Sequence, residues 1–167
     1  AASDVYKRQL LARRGCDVTA AVATGRPHAA ALEEARRAGV RSAASPPAAC
    51  EHAAAGGADL VIDGLTGIGA TGPLRPTAVE LVAPLIAAGR RGARGFRVLA
   101  VDVPSGTGVD DGTVSGPVLR ADLSVTFTCL KGAHLLAPAA GAAAPGLDPK
   151  PPRPAAPGSP QTSRSRT

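Results

Sequence analysis

The sequence predicts an α/β domain built on a doubly wound, mostly parallel sheet, and three observations favour this fold class. Hydrophobic residues make up 44% of the 167-residue chain, yet it has no Trp, one Tyr and two Phe, so a core must consist mainly of Ala, Val, Leu and Ile. Such residues suit strands that are buried on both faces of a sheet. Short apolar runs alternate with stretches of helical periodicity, as in parallel strands joined by helices. The most distinctive local sequences follow those runs, where ligands bind in sheets of this kind.

The predicted elements of the N-terminal half begin with the end of a helix. Residues 10–14 are typical of its last turns, closed by Gly15 where a left-handed cap is common. A strand is then predicted over residues 16–24. Apolar residues at helical spacing predict a helix over residues 28–40, and a second, Ala-rich helix is predicted over residues 47–55.

The C-terminal half opens on residues 59–65, a short apolar run with an acid near its end, as expected of a buried parallel strand. Pro76 is suited to begin the next helix. That helix would run through residues 78–88, and Pro84 would kink or loosen it. Further strands are predicted within residues 97–106 and 122–132, with a further short strand considered at residues 134–136.

The two ends of the chain differ in character from the middle. Residues 1–9 have no initiator Met and no capping residue before the first helix, and we interpret them as a non-native scar. From residue 142 onwards the chain holds seven of its sixteen prolines and shows no apolar periodicity. Residues 142–167 are therefore predicted to be a disordered tail, consistent with a shift of reading frame. The domain itself is expected over residues 10–141.

Charge and cysteine content bound the partners and the compartment. The net charge of +6 lies largely in the two ends, and the basic cluster within residues 90–97 is interpreted as a solvated helix end. The basic cluster has no interleaved aromatic residues to stack bases, so no nucleic-acid partner is expected. No apolar run is long enough to span a bilayer, so no membrane partner is expected either. The three cysteines, Cys16, Cys50 and Cys129, form no C-x-x-C pair, which predicts reduced, mostly buried thiols and a cytoplasmic protein.

The stretch LVIDGLTGIGATGPLRP, residues 60–76, raises the question of dinucleotide binding. Gly67, Gly69 and Gly72 have the G-x-G-x-x-G spacing of a dinucleotide fingerprint. In that fingerprint the third Gly lies inside a helix whose N-terminus holds the pyrophosphate, whereas here Pro73 follows at once and delays the helix. The acid expected about 20 residues later to bind the ribose is also missing. A dehydrogenase is therefore disfavoured.

Two further interpretations of these motifs also fail. A serine hydrolase would need G-x-S-x-G around Ser105, and Val103 stands where the first Gly is required. A plain Gly-rich turn would explain the glycines, but it would not explain Asp63 before the loop and Asp102 at the end of the next strand.

Three segments together resemble the YjeF N-terminal domain family: VIDGLTGIGATGPLR (residues 61–75), VLAVDVPSGTGVDDG (98–112) and ADLSVTFTCLKGAHLL (121–136). The similarity covers roughly residues 10–141. It implies a Rossmann-like, doubly wound, mostly parallel sheet in three layers. It also implies NAD(P)H-hydrate epimerase activity, which interconverts the R and S forms of hydrated NADH or NADPH, abbreviated NAD(P)HX. A fused or separate NAD(P)H-hydrate dehydratase is the implied partner.

The resemblance also implies roles for individual residues. Asp63 and Ser105 match potassium ligands of the family, so K+ is the implied cofactor, and oxygen ligands suit such a hard cation. Asp102 matches a substrate-binding acid, for which we hypothesise a catalytic, general acid–base role. Backbone amides of a Gly-rich loop can approach phosphates closely. The matching substrate-binding loop consists of Gly67, Ile68, Gly69, Ala70, Thr71, Gly72 and Pro73.

Some alternatives stay open at this point. The carboxylate of Asp102 could instead cap its own turn through the amides of Ser105 and Gly106. Lys131 could act electrostatically on the site or be an exposed turn lysine. An Asn-Asn-Gly-Gly-Asp-Gly loop of the family is absent, so the sheet is expected to be incomplete at its N-terminus. The chain as written could then be an inactive fragment, or a non-catalytic binding module of the same family.

Overall fold

The protein is described by a computed structural model over residues 10–23, 29–66, 72–90 and 95–143. Within these ranges it has α/β architecture, with parallel strands separated by helices, which confirms the predicted fold class. The strands are β1 (Thr19–Ala20), β2 (Arg41–Ser42), β3 (Leu60–Asp63), β4 (Arg97–Val101) and β5 (Leu123–Val125). The α-helices that follow the first turn are α1 (Ala29–Arg37), α2 (Pro46–His52), α3 (Pro76–Arg90) and α4 (Gly132–Leu135).

The described strands form two open parallel sheets. One pairs β1 with β2, and the other has the order β3, β4, β5. In the larger sheet Asp63 lies opposite Ala100, and Val101 lies opposite Val125. Because these three strands run in the same direction and in close register, their carboxyl ends meet at one edge. That edge carries the candidate site.

Helix α3 covers the larger sheet and supplies much of its core. It begins at Pro76, as predicted, because proline lacks the N–H that the first turn of a helix leaves unpaired. Leu81 and Leu85 are buried and pack with Phe96 and Val98 in one cluster. Burying a Leu side chain stabilises a fold by about 1.5–3 kcal/mol. The helix continues through Pro84.

The N-terminal part packs around the smaller sheet. Residues 10–13 are helical, and Gly15 follows with a φ of +84°, so the predicted left-handed cap is confirmed. The amide of Cys16 completes the cap by donating to the carbonyl oxygen of Leu11 at 3.1 Å. Ala35 of α1 lies buried against β1, as the helical spacing predicts. The paired part of the strand predicted over 16–24 is limited to β1.

The short strand considered at residues 134–136 is a wrong prediction. Residues Gly132–Leu135 form the single helical turn α4. The amide of Lys131 donates to Nδ1 of His134 at 3.0 Å, and this bond satisfies an N–H at the start of the turn. A local side-chain bond therefore decides the structure of this apolar segment.

The cysteine prediction is only partly correct. All three thiols are free, but Cys16 and Cys129 are exposed, and only Cys50 is buried. Burial raises the pKa of the Cys50 thiol. The expectation of mostly buried thiols is therefore wrong, since Cys16 lies in the irregular segment before β1 and Cys129 in the bend after β5, outside the packed helices and strands.

The packed part of the chain extends two residues beyond the predicted boundary at 141. Ala142 and Ala143 are buried. Their carbonyl oxygens accept hydrogen bonds from the amide of Ala121 and the hydroxyl of Ser124, at 2.9 and 2.8 Å. Residues 1–9 and 144–167, which include the predicted scar and most of the predicted tail, lie outside the described residues. None of the helices in the described ranges is long and apolar enough to cross a membrane.

Candidate active site at the carboxyl ends of the strands

Three polar side chains stand at the carboxyl ends of the strands of the larger sheet. Asp63 is the last residue of β3, Asp102 directly follows β4, and Thr126 directly follows β5. Asp63 and Asp102 are both only 4% exposed. Two carboxylates buried this deeply need hydrogen-bond donors close by. Their donors are different, and they divide the site into two halves.

The first half joins Asp63 to Ser105. The amide of Ser105 donates to Oδ2 of Asp63 at 2.8 Å, and the Ser105 hydroxyl donates to Oδ1 at 2.6 Å. The hydroxyl oxygen in turn accepts a bond from the amide of Thr66 at 3.1 Å. The amide of Leu65 also donates to Asp63, at 3.3 Å. This network fixes the start of the Gly-rich loop to the turn that follows β4.

That turn depends on Gly106, whose φ is +94°. A Cβ at this position would lie 3.1 Å from the carbonyl oxygen of Pro117 and 3.2 Å from Cγ of Leu74. The hydroxyl of Thr107 closes the turn by donating to the carbonyl oxygen of Pro104 at 2.7 Å. The D-V-P-S-G sequence thereby forms a turn after β4 and brings Ser105 within hydrogen-bonding distance of Asp63.

The second half of the site joins Asp102 to Lys131. Nζ of Lys131 lies 2.6 Å from Oδ1 of Asp102, and the two side chains are 14% and 6% exposed. The hydroxyl of Thr126 donates to the same Oδ1 at 2.8 Å. The ammonium also donates to Thr126 Oγ1 at 2.8 Å and to the carbonyl oxygen of Phe127 at 2.6 Å. All three N–H bonds of the ammonium therefore have an acceptor.

These contacts decide two alternatives that the sequence left open. Lys131 acts on the site electrostatically, and the exposed-turn interpretation is wrong. The Asp102 carboxylate does not cap its own turn through Ser105, because the amide of Ser105 donates to Asp63 instead.

The ionisation of Asp102 reflects a balance of burial and partners. Burial raises its pKa, but the hydrogen bonds from Lys131 and Thr126 and the positive charge of the ammonium outweigh burial, so the pKa of Asp102 is lowered. Asp102 is therefore a carboxylate at neutral pH. It can accept a proton or stabilise a cation in that state.

Two buried oxygen atoms of the site have no hydrogen-bond partner among the described residues: Oδ2 of Asp102 and Oγ1 of Thr66. Leaving a buried polar atom unpaired costs about 1–3 kcal/mol. Both residues belong to the two halves described above. Atoms of this kind, at the edge of a parallel sheet where ligands bind, are candidates for contact with a ligand.

His134 is a member of the site that the sequence did not single out. Its Nε2 lies 2.7 Å from the backbone carbonyl oxygen of Asp102, and its Nδ1 accepts the bond from the amide of Lys131. Asp102 itself has a φ of +72°, which is uncommon for a residue other than Gly. In the sequence, His134 lies in the third segment of the family resemblance, and its K-G-A-H spacing from Lys131 is a signal that could have pointed to it.

Most of the predicted substrate-binding loop lies outside the residues that the structure describes. Gly67, Ile68, Gly69, Ala70 and Thr71 lie outside the described residues. Gly72 and Pro73 are described and exposed, and Gly72 has a φ of +80°. Since α3 begins only at Pro76, the third Gly of the motif lies outside the helix, unlike the third Gly of a dinucleotide fingerprint.

The donor set suits a hard monovalent cation better than a transition metal. The described residues contain no group of three or more His, Cys, Asp or Glu side chains placed to hold a metal ion. Potassium is instead bound by oxygen atoms, including backbone carbonyls. Asp63 and Ser105 offer oxygen atoms in direct contact, and the neighbouring Thr66, whose amide donates to Ser105 Oγ, carries a buried hydroxyl without a partner in the described part of the chain. Their chemistry therefore fits K+.

Comparison with known proteins places these residues in a wider context. The family described as YjeF-related protein N-terminus matches residues 6–133. The "Bifunctional NAD(P)H-hydrate repair enzyme Nnr" of Mycobacterium leprae (strain TN) is 41% identical over 134 residues, which cover 80% of this chain and 25% of that protein.

Two shorter relatives carry a related name. The "NAD(P)H-hydrate epimerase" of Microbacterium testaceum (strain StLB037) is 46% identical over 110 residues, covering 64% of this chain and 40% of the relative. The "NAD(P)H-hydrate epimerase" of Clavibacter sepedonicus is 43% identical over 121 residues, covering 70% of this chain and 52% of the relative. The chain thus spans between a quarter and about half of the length of these three relatives.

Proposed function

Because the chain belongs to the family of YjeF-related protein N-termini, we propose that it is an NAD(P)H-hydrate epimerase domain, an isomerase that interconverts the R and S forms of NAD(P)HX. One observation carries the proposal. Asp102 is a buried carboxylate that has one oxygen held by Lys131 and the other without a partner in the described part of the chain. A buried, oriented carboxylate with one available oxygen, at the ligand-binding edge of a parallel sheet, is suited to act on a bound substrate.

The proposed reaction requires a protein group that stabilises a transient positive charge on the substrate ring. In the hydrated nicotinamide ring the C–O bond breaks and its electron pair leaves with the oxygen, while the lone pair of the ring nitrogen forms a C=N bond. The leaving oxygen takes up a proton from the solvent and departs as water. Water then adds to the opposite face and gives up a proton, so no proton is consumed overall. The ring between these steps is a cation.

Asp102 fits two demands of this reaction, which are stabilisation of the cationic ring and acceptance of a proton. Its ionised state at neutral pH lets it stabilise the cationic ring and accept the proton from the incoming water. Oδ2 is the atom we assign to that contact, because Oδ1 is engaged by Lys131 and Thr126. Lys131 would therefore keep the carboxylate ionised and oriented.

We further propose that Asp63 and Ser105 hold a potassium ion, with the hydroxyl of Thr66 as an additional oxygen ligand. When bound, K+ would offset the negative charge of a diphosphate near the Gly-rich loop. The loop from Gly67 to Pro73 would bind the substrate through its backbone amides. The three free cysteines suit a reducing compartment, so we place the activity in the cytoplasm, with an NAD(P)H-hydrate dehydratase, fused or separate, as the functional partner.

The test is the conversion of purified R-NAD(P)HX to the S form, measured by chromatography against the spontaneous rate. We expect the protein to accelerate the conversion and to do so better in potassium than in sodium salts. Asp102→Ala should return the rate to the spontaneous value. Glu80→Gln, which removes an exposed acid of α3, is the matched control and should keep the activity.

Each outcome of this test has a meaning. A folded protein that binds NAD(P)HX without converting it would support a non-catalytic binding module instead. A folded protein that neither binds nor converts NAD(P)HX would show that the chain is inactive as written. Unchanged activity in Asp102→Ala would remove the proposed role of Asp102 even if the protein were an epimerase.

A further inference from the structure

The ring of His134 bridges two backbone groups of the site. Nδ1 lies 3.0 Å from the amide nitrogen of Lys131, and Nε2 lies 2.7 Å from the carbonyl oxygen of Asp102. One imidazole therefore connects the start of α4 to the end of β4. Lys131 completes a second connection between the same two segments through its ammonium and Oδ1 of Asp102.

The chemistry of the two partners fixes the tautomer of His134. A backbone N–H can only donate, so Nδ1 has to be the unprotonated nitrogen that accepts. A carbonyl oxygen can only accept, so Nε2 has to carry the hydrogen. The ring is thus neutral, with its proton on Nε2, and it would lose the bond from Lys131 if Nδ1 were protonated.

The conformation of Asp102 needs such support. Its φ of +72° lies in the left-handed region, which costs an L-residue about 1–2 kcal/mol. Its amide is held by the carbonyl oxygen of Val125 at 2.8 Å, and its carbonyl oxygen is held by His134. Strained backbone of this kind persists where the surroundings hold it from several sides.

We propose that His134 is a positioning residue. By donating from Nε2 to the carbonyl oxygen of Asp102, it fixes the backbone of Asp102 and, through the backbone, the direction of Oδ2 of the carboxylate. The inference depends on the proposed function only for its kinetic readout, because the tautomer and the bond exist with or without turnover. A misplacement of a reacting group by about 1 Å can cost roughly 100-fold in rate. Loss of the Nε2 bond should therefore reduce kcat far more than it changes KM.

Two amide side chains separate the two bonds of His134. Glutamine places its terminal NH2 near the position of Nε2 and can keep the bond to Asp102, whereas asparagine places its oxygen near the position of Nδ1 and can keep only the bond from Lys131. We expect His134→Gln to retain kcat within about threefold, and His134→Asn and His134→Ala to lose about 10- to 100-fold. If His134 merely capped α4, Asn would rescue better than Gln, which would overturn the proposal.

A spectroscopic measurement keeps the inference testable if the variants fold poorly or if the protein is not an epimerase. Long-range ¹H–¹⁵N NMR of the unsubstituted protein at neutral pH reports which ring nitrogen of His134 carries the proton. We expect the Nε2–H tautomer, with a protected Nε2–H signal that is absent in His134→Asn. An Nδ1–H tautomer, or a rapidly exchanging Nε2–H, would overturn the proposal whatever the activity assay shows.

Discussion

Asp63 and Ser105 are 42 residues apart in sequence, yet the carboxylate of one accepts both the amide and the hydroxyl of the other, at 2.8 and 2.6 Å. Asp63 ends β3, Ser105 lies in the turn that follows the neighbouring parallel strand β4, and the two residues are 4% and 1% exposed. A carboxylate that accepts two donors from one residue is held in a single orientation. The Asp63 carboxylate and the Ser105 hydroxyl are therefore held in place by each other.

Removing the Ser105 hydroxyl tests this half of the site. Ser105→Ala keeps the amide bond to Asp63 but removes a buried donor, so we expect the free energy of unfolding to fall by about 1–3 kcal/mol. The activation of epimerisation by potassium should fall as well. Thermal unfolding and the rate ratio between potassium and sodium salts measure the two effects. Ser115→Ala, at an exposed serine, is the control and should change neither quantity.

Replacing Lys131 tests the second half. In the native protein the pKa of Asp102 is lowered, so Asp102 stays ionised until the pH falls below its ordinary value of about 3.8. Lys131→Met removes a hydrogen bond and a positive charge that lower the pKa of Asp102, while burial, which raises it, stays, so this pKa should rise. The acidic limb of the profile of kcat/KM against pH should therefore move to higher pH. An unmoved limb, in a variant that folds, would contradict the role of the ammonium.

The same ion pair has a consequence for stability. A carboxylate whose pKa is lowered in the folded state contributes stability above its unfolded pKa and loses it as the pH falls through the folded value. The difference in free energy of unfolding between the native protein and Asp102→Asn should therefore shrink as the pH falls below about 4. Urea unfolding at neutral and acid pH measures this difference. A difference that grows in acid would contradict the assignment of Asp102 as the ionised partner.

Gly106 is the position at which the turn after β4 tolerates least change. Gly106→Ala adds a Cβ close to Pro117 and Leu74 at a φ of +94°. The left-handed conformation alone costs an L-residue about 1–2 kcal/mol, so we expect at least that loss of stability, together with loss of epimerase activity as Ser105 moves. Gly89→Ala in α3, where no atom lies within 4 Å of the added Cβ, should stabilise the protein by about 0.5–1 kcal/mol.

Gly132 connects the helix α4 to the neighbouring turn. A Cβ on Gly132 would overlap the backbone carbonyl of Asp110. Gly132→Ala should therefore displace the segment that carries Lys131 and His134 and reduce activity more than it reduces the melting temperature. Activity assays alongside thermal unfolding, compared with Gly89→Ala, separate these effects. Full activity in a folded Gly132→Ala protein would show that Asp102 does not need α4.

Much of the architecture could be predicted from local sequence. Pro76 sets the start of α3 because its ring restricts φ and its missing N–H costs nothing there. Gly15 sets the end of the first helical turn because it adopts a positive φ without a Cβ penalty. Local patterns failed at residues 134–136, because the bond from the Lys131 amide to the His134 ring outweighs the apolar pattern of a strand.

The sequence by itself determined that the candidate residues Asp63, Asp102 and Ser105 follow consecutive strands, because apolar runs, acids and glycines are readable along the chain. Only the tertiary structure decided how they pair. Asp63 takes the amide that Asp102 could have accepted, and Lys131 and His134 come from a segment about 30 residues away to hold Asp102 instead. The physical reason is that hydrogen bonding in a buried site depends on the positions of several strand ends at once, and these positions follow from the packing of the sheet.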